Sequence, residues 1–479
     1  MRRVSPSRPA RCAFSFALVL LVTLLAAAGC SPEAEPKTDA GTTVDATDAG
    51  GYARLVDPLS MPLQPTVQLD HFRSAGDCAG CHPKHHDEWS QSRHAFAMID
   101  PVFRALVDLR QQEREGQEDG FCTQCHSAIG VRSGDIQPGF RWKDLAPVTL
   151  EGVTCEACHK ASAIERVHNS GHVLDDDGPL CGNLENPQTV AFHESAKTPH
   201  MGEARFCGGC HDVVETNGLP LERPYEEWLA SPAAAQGKPC QDCHMPRYDG
   251  TAALGGPQRQ GLHRHRFVGV ELPVGPGAPA LDAATRSELE AEIAALLGSA
   301  AKVQLALPKP ARGGEALDVV VTVRNAIDAH SLPTGSTFLR QVWIDLEVVD
   351  ADGAMVYRSG DLDANGDLRD HWSEVDPYGD DDLVTLSSQL LDVAGNPTLF
   401  TWHAAEHRRN AIPAGHERTW TYFAPIPATT KGPLQIRATL RFRAYAPFLL
   451  RLVGLGQMVS DVPIHDLAKA ATAVDVTAP

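Results

Sequence analysis

Five copies of Cys-x-x-Cys-His fall between residues 78 and 244, and any fold of this chain must accommodate all five. They read CAGCH (Cys78, Cys81, His82), CTQCH (Cys122, Cys125, His126), CEACH (Cys155, Cys158, His159), CGGCH (Cys207, Cys210, His211) and CQDCH (Cys240, Cys243, His244). The motif has a chemical rationale. Its two thiols can form thioethers with the two vinyl groups of one haem, and the adjacent imidazole then reaches the iron as proximal ligand. The pattern therefore predicts five covalent haem c groups, with the ten motif cysteines as attachment points and His82, His126, His159, His211 and His244 as iron ligands.

Paired cysteines also build zinc sites. Five pairs would leave one unmatched, and zinc gives no reason for a histidine after every second cysteine. Of the 13 cysteines, ten are in the motifs, Cys12 and Cys30 lie near the N-terminus, and only Cys181 is left over. Neither a zinc set nor a disulfide framework accounts for that distribution. A buried free thiol is the expectation for Cys181.

The N-terminus has a basic stretch, MRRVSPSRPAR, then the apolar run CAFSFALVLLVTLLAAAG, then Cys30. This is the layout of an export signal. AAGC at 27–30 resembles a lipobox, although Ala27 stands where Leu is commoner. The expectation is a lipoprotein-type signal peptide over 1–30 and a mature protein anchored to a membrane through lipidated Cys30. An uncleaved anchor and an ordinary signal peptide are the alternatives. Residues 31–65 start with an Ala/Asp/Thr/Gly-rich stretch without apolar periodicity and read as a disordered tether. Export fits the chemistry, because c-type haem is attached outside the cytoplasm, and a periplasmic or cell-surface location follows. Ser31 in place of Asp is compatible with outer-membrane sorting. The formal net charge of −19 argues against nucleic acid as partner.

The rest divides near residue 275. Residues 66–275 hold every motif, few β-branched runs and many short segments broken by Gly and Pro, so short helices and long loops packed around haem are predicted. Residues 276–301 read as a linker and a helix, ATRSELEAEIAALLGSA, with Leu289, Ile293 and Leu297 at intervals of four. From 302 to 479 the pattern changes to strands: KVQLALP, ALDVVVTVRNA, RQVWIDLEVVD, AMVYRSG, RTWTYFAPI and LQIRATLRFRAY, divided by turn clusters. No helix alternates with them. The predicted fold class is thus multidomain, a haem-packed, mostly α and irregular cytochrome region followed by an all-β immunoglobulin-like sandwich.

The sixth ligand of each iron decides its chemistry. Two strong axial ligands make an electron-transfer haem, whereas an open site can bind and transform a small molecule. His71, His85, His86, His94, His168, His172, His193, His200, His263 and His265 are available in the motif region. For any one of them a surface or propionate-bonded imidazole is the alternative. EWSQSRHAF places Trp89 and His94 on one expected helix, where Trp89 could pack on a porphyrin face. His263 and His265 alternate in an extended segment, so only one should serve a given iron. Met98 and Met201 are possible thioether ligands; Met245 directly follows a proximal histidine and is discounted.

The series CxxCHPxxxxEWxxSxHA, FCxQCHS, GVTCEACHK, FCGGCHD, YEEWLASPAAAQGKPCQDCHMP and HRFVG resembles multihaem cytochromes of the cytochrome c-554 type. The resemblance covers residues 71–270 and continues more weakly into NAIDAHSLPTG and WIDLEVVDADGAMVYRSG. It implies His94, His193 and His265 as distal ligands, with His330 delivered from the β region or else a polar loop contact. The fifth iron is left to His172, His168, His85 or His86, with His172 carried as the candidate.

Three functions compete. In the first, closely spaced haems, mostly bis-His ligated, carry electrons between membrane redox partners such as other cytochromes or quinone-linked dehydrogenases. In the second, one open haem acts on a small nitrogen or sulfur compound. Relatives with that activity often replace one attachment histidine by lysine or crosslink a tyrosine to haem, and here all five motifs end in His. In the third, the β region is a binding module. His403, His407 and His416 lie close in sequence, but exposed loop histidines account for them. The acidic stretch 361–382 lacks the spacing of a calcium loop. No catalytic residue is assigned, and the electron-carrier reading is the one carried forward.

Overall fold

In the motif region the helices are short, because an attachment motif needs only about one turn to set both thiols and the imidazole. Those used below are α1 (Ala75–Ala79), α2 (Pro83–Ser90), α3 (Pro101–Glu113), α4 (Asp119–His126), α5 (Cys155–His159), α6 (Ala204–His211) and α7 (Gln241–His244). The computed structural model describes residues 65–478. The expected export signal, Cys30 and the expected tether up to residue 64 lie outside the described residues. α3 is the longest of the seven. Its start is fixed by Pro101 and by the Asp100 carboxylate, which accepts from the Phe103 amide.

Trp89 and His94 do not share a helix. α2 ends at Ser90, and the chain turns through 91–99 before α3 begins. The turn frees the His94 carbonyl for a contact that a continued helix would prevent, beside one made by Trp89 of α2. The His94 carbonyl accepts from the Val153 amide at 3.1 Å, and the Trp89 indole donates to the Val153 carbonyl at 2.8 Å. Gly152 makes the close approach possible: its φ is +76°, and a Cβ there would lie 2.6 Å from the His94 carbonyl oxygen.

Helix α8 (Ala283–Gly298), capped by Asp282, buries Leu289, Ile293 and Leu297. Beyond it come β1 (Ala301–Ala306), β2 (Ala316–Asn325), β3 (Gln341–Val349), β4 (Met355–Ser359), β5 (Glu417–Pro425), β6 (Leu434–Arg443) and β7 (Ile464–Val474). They form two antiparallel sheets, β5-β2-β1 and β4-β3-β6-β7. Alternation supplies the core between them. Val319, Val321 and Val323 of β2 face Ile344, Leu346 and Val348 of β3 and Ile436, Ala438 and Leu440 of β6 in one apolar cluster. Trp343, on the opposite face of β3, is buried as well, and its indole donates to the Gly360 carbonyl at 2.9 Å.

The two regions are joined by side chains as well as by the chain. Glu227 receives the Thr334 hydroxyl at 2.6 Å and the Ser331 amide at 3.1 Å, and Lys238 pairs with Asp328 at 3.0 Å. The stretch between β4 and β5 contributes too, with the Trp402 indole donating to Glu113 at 2.6 Å. Leu221, Leu390 and Ala404 form a shared apolar cluster. No helix among the described residues is long and apolar enough to cross a membrane.

Candidate haem sites

The eleven cysteines from Cys78 to Cys243 are all free thiols. No three cysteines or histidines gather within metal-ligand range among the described residues. The one cluster of metal-binding residue types is His71 with Asp176 and Asp177, at 3.3 and 3.0 Å. Each motif therefore stands as a unit, as haem attachment requires and zinc does not.

Fit to haem can be tested on the imidazoles. A metal sits about 2.0 Å from an imidazole nitrogen, and that nitrogen lies roughly 1 Å from its ring centre. Two imidazoles on opposite sides of one metal thus stand about 6 Å apart, centre to centre. Four proximal histidines have such a partner. His82 and His193 are 6.4 Å apart, His159 and His265 6.3 Å, His211 and His94 6.1 Å, and His244 and His330 6.5 Å. The planes cross at 30°, 18°, 60° and 22° in the same order. The four partners come from four separate segments, and His330 comes from the loop between β2 and β3.

Hydrogen bonding agrees with ligation. A ligating imidazole commonly donates its Nδ1–H to a carbonyl, which leaves Nε2 free for the metal. His82 has Ala252 O at 2.8 Å, His126 has Ala97 O at 2.9 Å, His159 has Cys181 O at 2.6 Å and His244 has Val268 O at 3.2 Å. Among the partners, Nδ1 of His193 meets Glu194 O at 3.2 Å, that of His265 meets His263 O at 3.0 Å, and that of His330 meets Ser331 O at 2.9 Å. The exceptions are His94, whose Nδ1 is buried without a partner, and the exposed His211, for which no acceptor is found among the described residues. Burial pushes the His94 and His265 imidazoles down to about 4 and about 3, so both are neutral, as a metal requires.

Other candidates spend Nε2 elsewhere. His85 is 6.3 Å from His82, but its Nε2 meets the Tyr248 hydroxyl at 2.8 Å. Nε2 of His200 is on Ala161 O at 2.9 Å. His172 is packed beside the fourth motif, with Nε2 on Phe206 O at 2.8 Å and Nδ1 3.7 Å from Cys210 Sγ. It is not brought to His126. The ring next to His126 is Phe103, stacked at 3.8 Å and 3°, and no histidine pairs with His126 among the described residues. His263 holds the Met245 carbonyl at 2.7 Å, and Met98 is buried in an apolar cluster with Val131, Ile136 and Leu145. Sequence reasoning gave no signal for the role of Phe103, because a helical Phe reads as core.

The motifs also contact each other. The Cys78 and Cys155 thiols are electrostatic neighbours, as are Cys125 with Cys210 and Cys207 with Cys240. Cys158 is close enough to feel the charge of Cys210. Motif one thus adjoins three, three adjoins four, and four adjoins both two and five.

Residues 77–160, which span the first three motifs, match the family described as cytochrome c554 and c-prime. Among solved structures, a penta-heme cytochrome c552 from Thermochromatium tepidum matches with a TM-score of 0.59 at 20% identity, over 85% of this chain and 100% of that one. No curated protein matches the sequence. The resemblance to multihaem c-type cytochromes of the cytochrome c-554 type, first read from the motifs, is shown by both the family match and the shared fold.

Proposed function

We propose that this protein is an electron carrier with five haem c groups, four of them held between two histidines. The observation that carries the reading is the set of four imidazole pairs at the spacing of trans ligands on one metal. The ten motif cysteines anchor the groups, and His82/His193, His159/His265, His211/His94 and His244/His330 close four irons. One-electron exchange between ferric and ferrous iron is the chemistry that bound haem c supplies. The chain sets how readily that happens, through ligand orientation, burial and the hydrogen bonds on Nδ1. Haems bound at these motifs would be neighbours in the order of the motif contacts: one with three, three with four, four with two and five.

The same reading includes export, a lipid anchor on Cys30 at a periplasmic or cell-surface membrane, and redox proteins as partners, supported by the N-terminal sequence. It also takes the β region as an immunoglobulin-like sandwich, supported by the strand order of its two sheets.

A second reading is favoured at one place. His126 has a carbonyl for its Nδ1 and a stacked Phe103, but no opposing histidine among the described residues. That site would be five-coordinate, and a small nitrogen or sulfur compound could bind its iron. Haem counting by mass and low-temperature EPR of the oxidised protein test both readings. Five haems with four low-spin signals and one high-spin signal are expected. Absence of covalent haem overturns the proposal. A high-spin signal that shifts with nitrite, hydroxylamine or cyanide moves it towards the enzyme, and five low-spin signals remove the open site.

A further inference from the structure

The hydrogen bonds on the axial imidazoles divide the sites unequally. Seven of the nine histidines placed above as ligands have a backbone carbonyl on Nδ1. The two that lack one, His94 and His211, form one pair. An Nδ1–H donated to a carbonyl makes the imidazole a stronger base, which favours ferric iron. A pair without such acceptors favours ferric iron less. His94 is the stronger case, because its Nδ1 is sealed from water. What fixes its ring is apolar, the edge-on Phe267 at 4.4 Å.

A second observation points the same way and is independent of the first. Arg132 is 3% exposed and sits beside the Cys125 and Cys210 thiols, between the second and fourth motifs. Its guanidinium donates to Ser170 Oγ at 3.2 Å and to the His172 carbonyl at 2.9 Å; Glu165 is near enough for its charge to act on it, but no carboxylate forms an ion pair with it among the described residues. A buried cation without an ion-paired carboxylate disfavours the more positive oxidation state of a neighbouring metal.

Resting on the carrier reading above, we propose that the haem site of the fourth motif, closed by His94, is the most oxidising of the four paired sites, with Arg132 as a residue that sets its potential. This motif adjoins the second, third and fifth. An electron arriving at any of those neighbours therefore moves towards the fourth site, which acts as the collecting point of the set.

The experiment is an EPR-monitored redox titration of the holoprotein. The fourth site can be assigned in two ways. Its imidazole planes cross at 60°, against 18–30° elsewhere, which leaves the iron dπ orbitals closest to degenerate and gives the low-spin signal with the largest maximum g. His94→Gly should convert that signal alone to high spin, and where it does not accumulate, His94→Met keeps a sixth ligand and shifts the same signal. We expect this signal to be reduced first, with the most positive midpoint of the four. Arg132→Gln should move the midpoint negative, whereas Arg132→Lys should leave it in place. Another low-spin signal with a more positive midpoint overturns the ranking, and an unmoved midpoint in Arg132→Gln overturns the role of Arg132. Absence of covalent haem would instead sink the carrier reading itself, so the two failures are distinguishable.

Discussion

The two glycines of CGGCH show how much a single position can decide. A Cβ on Gly208 would lie 2.6 Å from the Tyr225 ring, and one on Gly209 would lie 2.4 Å from Cε1 of His172. The motif tolerates any residue between its cysteines as far as haem attachment is concerned. Here the packing does not. Gly209→Ala should cost about 1–3 kcal/mol by overpacking, read as a lower thermal midpoint with unchanged haem content. Arg110 is a second such position. Its side chain is 2% exposed, and it binds Glu215, itself 1% exposed, at 2.6 Å. Burial raises the Glu215 carboxyl, but the hydrogen bonds and charge of Arg110 outweigh it and hold the group below its ordinary value. That stabilisation is complete above the unfolded pKa, about 4.3, and is lost as pH falls through the lower folded value. Arg110→Ala, which strands a buried carboxylate, should cost about 3–5 kcal/mol, and its deficit should shrink in melts run at progressively lower pH. The candidate haem-attachment residues could be named from spacing alone. Their opposing histidines could not be named from spacing, since ten imidazoles of the motif region and His330 compete; the family resemblance pointed to His94, His193, His265 and His330, and the fold shows which Nε2 atoms are already taken.

At the scale of elements, helices and strands with clear periodicity were legible and the exceptions have physical causes. α8 and six strands follow from Leu and Val spacing. β7 does not, because HDLAKAATAV is rich in alanine and buries only Leu467; its strand state comes from pairing along the whole of β6. The end of α2 was also hidden, since no Gly or Pro marks Gln91 and the break is imposed by contacts with Val153. The loop between β2 and β3 is the element with the largest chemical consequence. Glu227, Lys238 and the amide of Ala233 hold it against the fifth motif, and it brings His330 to His244. Replacing His330 by Gly should convert one low-spin EPR signal to high spin and leave the others unchanged. A chain ending at residue 301 should show the same conversion together with a large loss of stability.

For the whole molecule, charge and motif order matter together. A formal net charge of −19 acts on encounters, not on the fold. Reduction by a small cationic complex should outpace reduction by an anionic one of equal potential, and stopped-flow rates should converge as ionic strength rises past about 0.1 M. Equal rates at low salt would mean that the electron entry point is shielded from the overall charge. Composition disclosed this sign, but not the branching of the motifs around the fourth. That branching comes from non-local contacts such as Cys125 with Cys210, 85 positions apart in the sequence.

The reach of His330 also orders events in time. Cys240 and Cys243 emerge from synthesis well before residue 330, and the loop between β2 and β3 is held at its ends by β2, which pairs with β1 and β5. If His330 closes the fifth site as proposed, that site would be the last to be completed, and its closure would report that the C-terminal half has been made and folded. On the proposed ligation, an immature chain would leave the fifth site without its second imidazole, and a finished one would close it.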